Sequence, residues 1–370
     1  MLQTSATAFN RFFLPGLAFK AAVIGGGYAT GRELAEFFLP SGPRGGLLAM
    51  LLATVIWSIV CSLTFLIAYA NDAFDYRSFF QNLLGRYWVA FELVYALFII
   101  VLLSVFGAAA GALAATVLGW PPITGTLGLM LCITLFAAFG NLSVDRLFKY
   151  VSFFLYATYV LFLLLAVTRF GPRISHSLDL PISLDGWVIA GITYASYNVV
   201  GAVVILPAAR HLTCGRDAII AGLLAGPLAM APAIIFFLCM AAFYPEIKNA
   251  ELPSNYLLEQ IGLPVFQIVF QTMIFAALVE CGTGAVHAIN ERIAAAHRSR
   301  KGTDLSKVGR SAVILAILAL SIFVANRFGL VALIARGYRL LAYMILAVYL
   351  VPLFAAVPRL LFQRRALDPG

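Results

Sequence analysis

Ten stretches of this chain run for eighteen residues or more with few charges, long enough for a helix to cross the hydrocarbon of a bilayer. They cover 12–38, 46–70, 87–118, 122–140, 147–169, 186–208, 217–243, 263–290, 309–326 and 329–357. Each is continuously apolar and lacks the two-residue alternation of a barrel wall, which excludes a transmembrane β-barrel. Inside hydrocarbon every backbone amide and carbonyl must find a partner within the protein, and only helices then remain. The expectation is an all-α integral membrane protein of ten transmembrane helices. Composition leaves no room for a soluble domain: of 370 residues, 62% are hydrophobic and 11% charged, against roughly half and a quarter in soluble domains.

The net charge of +9 would suggest nucleic acid in a soluble protein. Here the basic residues sit in short loops, and they set orientation instead. With ten spans both termini share one side, which carries sixteen Lys and Arg; the other side has Arg44, Arg169, Arg173, Lys248 and Arg327. The positive-inside rule then places both termini in the cytoplasm of a cell whose cytoplasmic (inner) membrane holds the protein. The loop Tyr244–Gly262 falls outside, as a lid or a plain connector. The five cysteines are odd in number and form no CxxC pair, so free thiols are expected. The first apolar run contains Lys20 and Arg32 without a small-residue cleavage site, and is read as a retained span. The expected partners are a small-molecule solute and the lipid bilayer, with no nucleic acid. No HExxH, Walker loop, GxSxG or metal-ligand cluster is present, so an enzyme lacks its parts.

Span lengths repeat in two sets of five, each with an interrupted first span, an extended third and a short fourth. Because five is odd, a duplicated unit enters the membrane from the opposite side the second time. This predicts two inverted repeats, 1–175 and 176–370.

The first span carries Gly25, Gly26 and Gly27 in succession, each costing about 1 kcal/mol relative to Ala in a helix. They predict a local break, which a membrane tolerates only where freed backbone groups meet a ligand, an ion, water or other protein groups. Glycine packing stripes are the alternative. Beyond the break come Tyr28, then Arg32, Glu33 and Glu36; intramembrane charges are costly enough to require pairing or a wet cavity. Arg32 and Glu36, four apart, can pair along one face, with the carboxylates as a gate to an outer vestibule.

The sixth span carries Tyr194, Ser196, Tyr197 and Asn198 at the corresponding place, and two matched interruptions point to a binding site; interhelical hydrogen bonding is the alternative. On the eighth, Glu280 and Thr283 share a face and offer oxygens to a small cation or a protonatable site, together with carbonyls near Ile24 and Gly27. Lys20 is an alternative partner for Glu280. Tyr95, on the third span with Phe91 and Phe98, belongs to an aromatic stripe at helical spacing that faces substrate or, as the commoner alternatives, lipid or a packed neighbour.

The segment Ile24-Gly-Gly-Gly-Tyr-Ala-Thr-Gly-Arg-Glu-Leu-Ala-Glu-Phe-Phe38, the run His287-Ala-Ile-Asn-Glu-Arg292 and the ten-span layout resemble the YkvI-like bacterial membrane proteins. These are similar in turn to the amino acid, polyamine and organocation transporter superfamily, whose fold is LeuT-type. The resemblance implies discontinuous helices one and six with substrate between them: Gly25 to Gly27 on one wall, Ser196, Tyr197 and Asn198 on the other. It also implies a sodium site at Thr283 and no other cofactor, although Glu280 and Gly284 depart from the sodium-coupled pattern and make a proton a comparable driving ion. The function so implied is symport or another secondary transport of an amino-acid-like or organic-amine solute; a ligand sensor using the same pocket is the alternative.

Overall fold

A computed structural model describes residues 7–138, 141–179, 185–301, 303 and 306–358. Three of the sixteen basic residues counted for orientation, the carboxy-terminal Arg359, Arg364 and Arg365, and the last two residues of the fourth run lie outside them. Among the described residues there is no strand, and seven helices are long and apolar enough to cross a membrane.

The first apolar run folds as three short pieces: α1 Leu14–Val23, α2 Gly26–Ala29 and α3 Arg32–Phe37. It is followed by the long α4 Gly42–Ala70, the amphipathic α5 Tyr76–Leu84 and α6 Trp88–Leu118. Hydropathy does not reveal α5, because it is too polar to read as a span; Asp75 starts it by accepting the backbone N–H groups of Arg77 and Ser78. Then come the short apolar α7 Pro122–Ala138 and α8 Asn141–Leu178. The second half holds α9 Trp187–Asn198, α10 Val200–Val204, α11 Gly215–Ala241, α12 Pro253–Ile261, α13 Pro264–Lys301, α14 Lys307–Ala332 and α15 Arg339–Ile345. Within α14 the chain turns at Gly329, whose φ of 73° only glycine adopts without strain, between the ninth and tenth apolar runs.

Two groups of helices emerge from the packing. α1, α4, α9 and α11 form one; α6, α7, α8, α13 and α14 form the other. Lipid tails are as apolar as leucine, so helices associate through close backbone approach and hydrogen bonds. Between α4 and α11 this is visible at Gly222, where a Cβ would lie 2.2 Å from the Ser62 amide nitrogen. The hydroxyls of Ser58 and Ser62 donate across that seam to the carbonyls of Leu223 (3.0 Å) and Ile219 (3.1 Å). Between α6 and α7, Gly125 lies against the Ala110 carbonyl, and Thr126 donates to Gly107 O at 2.8 Å.

The loop Tyr244–Gly262 is ordered into a 3₁₀ turn at Glu246–Asn249 and α12. Ile247, Leu257 and Ile261 are fully buried, Ser254 N donates to Thr30 O (2.9 Å), and Arg169 donates to the Ile261 carbonyl. It caps one end of the bundle.

Candidate functional site

The first break is an inverse γ-turn. Ile24 has φ −77° and ψ 75°, and the Gly25 amide bonds back to Val23 O at 2.8 Å. A Cβ on Gly25 would touch the Phe106 ring at 3.4 Å. A second break, absent from the sequence reading, follows at Gly31: φ is 76°, and a Cβ would lie 2.6 Å from Phe236. α9 ends more mildly. Val199 keeps right-handed dihedrals (φ −64°, ψ −13°), and the Asn198 side-chain amide donates to Tyr194 O at 3.1 Å, so the chain loosens there for about one residue.

Between these two places lies a cavity of about 390 Å³. Ile24, Gly25 and Glu33 form its wall on the first helix, Tyr197, Asn198 and Gly201 the wall from the sixth run. Tyr95 and Phe106 of α6, Glu280 of α13 and Tyr156 of α8 complete it, with Tyr338. Its lining is mostly aromatic and aliphatic with a few convergent polar groups, the usual character of a small-molecule site. Tyr338 ends a π-helical segment, Leu333–Tyr338, and such bulges concentrate at functional sites. Its only sequence signal was a tyrosine among the charges of Arg336-Gly-Tyr-Arg339.

One end of the cavity is shut and the other is not. At the shut end Glu33 (5% exposed), Tyr197 and Tyr338 are buried, and beyond them Arg32 fastens the capping loop. Its guanidinium donates to Lys248 O (3.1 Å), Ala250 O (2.9 Å) and Glu36 Oε2 (2.7 Å). At the other end Ala21, Ala22 and Val204 are exposed.

Glu33 is separated from Arg32 by a third of a helical turn, and it points the other way, into the cavity. The Tyr197 hydroxyl donates to its Oε2 at 2.7 Å. Arg32 and Glu36 make the expected i,i+4 pair on the outer face. Glu33, read from the sequence with the gate, lines the cavity at its shut end.

The remaining expected residues divide. Tyr197, Asn198, Tyr95, Ile24 and Gly25 line the cavity. Tyr194 and Ser196 do not: Tyr194 is packed between Trp57 and Phe38 (ring centroids 5.6 and 4.6 Å away), and Ser196 Oγ donates to Ile192 O at 2.7 Å. Gly26 and Gly27 open α2 beside the break. Tyr28 and Lys20 line a smaller neighbouring hollow of about 110 Å³ with Ile24, and Lys20 Nζ sits 3.9 Å from the Tyr156 ring centroid. Thr283 is fully buried, and its hydroxyl has no hydrogen-bond partner. Among the described residues no cluster of His, Cys, Asp and Glu could hold a metal ion.

Comparison of the whole structure with solved proteins now gives the architecture a name. MhsT, solved in complex with L-phenylalanine, superposes with a TM-score of 0.62 over 93% of this chain and 89% of its own, at 18% identity. A Na⁺-coupled sialic acid symporter in a substrate-bound outward-open state gives 0.57, covering 93% and 79%, at 12% identity. The manganese transporter of Eremococcus coleocola gives 0.54, covering 95% and 80%, at 13% identity. The chain has the LeuT-type fold. No protein-family model and no curated protein matches the sequence. The likeness is therefore one of architecture; Ile24 at the turn of the first run and Asn198 on the sixth line one cavity, and the chain leaves helical dihedrals at Ile24 but keeps them at Val199.

Proposed function

We propose that this protein is a secondary active transporter that moves a small amino-acid-like or organic-amine solute by alternating access, driven by a sodium or proton gradient. One observation carries the reading: a cavity at an unwound turn, shut at the Arg32 end and accessible at the Ala21 end. That asymmetry belongs to a carrier caught facing one side, and the fold likeness to transporters supports it. The positive-inside bias assigns the accessible end to the cytoplasm, with both termini there.

In this reading the same elements make up a ten-helix, five-plus-five arrangement. To the seven long helices are added the broken first helix and the short α7, and the 51-residue stretch Val308–Pro358 counts twice across Gly329. The repeats are 1–175 and 176–370. In this reading Gly25 to Gly27, Tyr95, Tyr197 and Asn198 hold the solute. Ile24, Gly27, Glu280 and Thr283 surround the coupling-ion position; the buried, unpartnered Thr283 hydroxyl is suited to a sodium ion.

The test is a thermal-shift screen of amino acids and amines, with and without sodium, followed by counterflow in proteoliposomes. A stabilising solute should exchange across the membrane, and Asn198→Ala should abolish that exchange in a folded protein. Binding without counterflow would make the protein a sensor.

A further inference from the structure

Glu33 stands out among the ionisable groups of the molecule. It is 5% exposed and lines the cavity, and among the described residues no Lys, Arg or His comes within ion-pair distance of it. Among the described residues its one side-chain hydrogen bond is that from Tyr197. A buried carboxylate with so little support is costly as an anion, and it is retained only where something else neutralises it.

The groups facing it are phenols. α2 contributes Tyr28, α9 Tyr194 and Tyr197, and the π-helical segment Tyr338; of these Tyr197 and Tyr338 line the cavity with Glu33. The hydroxyls of Tyr28, Tyr194 and Tyr338 are buried without a hydrogen-bond partner. The other elements packed on α3 bring no counter-charge. Arg32 is engaged with Glu36 and the loop carbonyls, Lys248 meets that arginine through its carbonyl, and Arg336 is exposed. In α12, Glu259 accepts from Asn255, and Tyr256 packs on Phe243. The ionisable residues of α11 are Arg216, Asp217 and Cys239; Asp217 is bound to Arg11 and Cys239 is a buried thiol. The cavity itself has two acidic side chains in its lining, Glu33 and Glu280, and no basic one.

We infer that Glu33 is a single exchange site, at which a proton and the positively charged nitrogen of an organic amine occupy the carboxylate in turn. This inference rests on the transporter reading and deepens it. One carboxylate carries one compensating charge, so binding of a cationic amine expels the proton, and return of the proton expels the amine. Coupling then takes the form of a one-for-one proton–amine exchange. The aromatic faces of Tyr197, Tyr338 and Phe106 suit the nitrogen and apolar body of such a cation.

The experiment uses 2-phenylethylammonium as probe, with L-phenylalanine and 3-phenylpropionate as zwitterion and anion controls, on purified full-length protein. Binding of the cation should weaken roughly tenfold per pH unit on the acid side of the carboxyl titration, and Glu33→Gln should bind weakly at every pH. Infrared difference spectra should show a protonated carboxyl band that titrates in the wild type and in Tyr197→Phe, and that Glu33→Gln lacks. Cation binding independent of pH, an unchanged band in Glu33→Gln, or preference for either control overturns the inference, as does failure of the cation to bind. Counterflow separates the two readings. Exchange that ignores a pH gradient removes the role of Glu33 and leaves the transporter, whereas pH-competitive binding without exchange does the reverse.

Discussion

Arg11 and Asp217, 206 positions apart, meet in a two-pronged ion pair, Nε to Oδ2 at 2.8 Å and Nη2 to Oδ1 at 2.7 Å. Thr213 adds its backbone N–H (3.0 Å) and hydroxyl (2.7 Å) to the same carboxylate. Parallel bonds of this kind fix direction as well as distance. They hold the turn that precedes α1 against the start of α11, on the α4–α11 side of the cavity. α1, which carries Ala21 and Ala22 at the accessible mouth, packs along α11 from that anchored end.

Releasing the pair should therefore change access to the cavity. Asp217→Asn is expected to lower maleimide labelling of an Ala21→Cys reporter several-fold. The exchanged pair, Arg11→Asp with Asp217→Arg, is expected to restore part of it, because a guanidinium at 217 cannot accept from Thr213. Labelling that is the same in all three proteins would show that the pair merely decorates the end of α1.

The opposite end depends on Arg32. Its three acceptors are two backbone carbonyls of the capping loop and Glu36, and the guanidinium is largely buried. Hydrogen bonds to a charged group contribute about 1.5–3 kcal/mol each. Arg32→Gln should accordingly raise amide exchange across Pro253–Ile261 by about tenfold or more. Exchange in α6 should not move. Uniform acceleration over the whole protein would indicate global destabilisation instead of an unlatched cap.

These two ends also show what a reader of the sequence can reach. The break at Gly25 was legible because three adjacent glycines have a cost that a membrane helix does not bear without reason, and the Arg32–Glu36 pair because its spacing is helical. Gly31 was not legible: a lone glycine after Ala-Thr gives no sign of a positive φ, nor of the closeness of Phe236 and Pro253 that leaves no room for a side chain. That Glu33 lines the cavity while Arg32 faces the capping loop was not legible either, for a similar reason. Adjacent residues look alike in sequence, yet they diverge by about 100° around the axis. The sixth run shows the same effect, where Tyr194 and Ser196 turn into the packing and Tyr197 and Asn198 face the cavity. Helix α5 escaped because hydropathy reports burial in lipid, and α5 lies with an apolar face against the bundle and a polar one away from it.

That helix supplies a pH-dependent prediction. Burial raises the Asp75 carboxyl, but hydrogen bonds from the Ser78 hydroxyl and the Ser78 and Arg77 amides, with Arg210 nearby, outweigh it and hold the group below its ordinary value. A depressed value in the folded protein means stabilisation that is whole above the unfolded Asp range, about pH 3.9, and lost as pH falls through the folded value. Asp75→Ala should cost about 1 kcal/mol at neutral pH through loss of the cap. The melting-temperature gap between wild type and variant should narrow as the medium is made strongly acidic. A gap of constant width would remove the carboxylate's charge from the explanation.

Arg292 lies where α5 meets the cavity. Its guanidinium carbon sits 3.5 Å from the Tyr76 ring centroid and 3.6 Å from that of Tyr95, with Glu92 Oε2 3.8 Å from Nη1. A planar cation sandwiched between two rings joins α5, α6 and α13, and it holds Tyr95, which lines the cavity, in place. Lysine keeps the charge but cannot stack between two faces. Each partly desolvated stack contributes about 0.5–2 kcal/mol. Arg292→Lys should thus lower the melting temperature by several degrees and weaken solute binding by loosening Tyr95. Tyr76→Phe, which keeps the ring, should melt close to wild type, and Tyr76→Leu should resemble Arg292→Lys. If phenylalanine and leucine at position 76 behave alike, the Tyr76 ring face has no part in holding the guanidinium, and Tyr95 and Glu92 carry the contact.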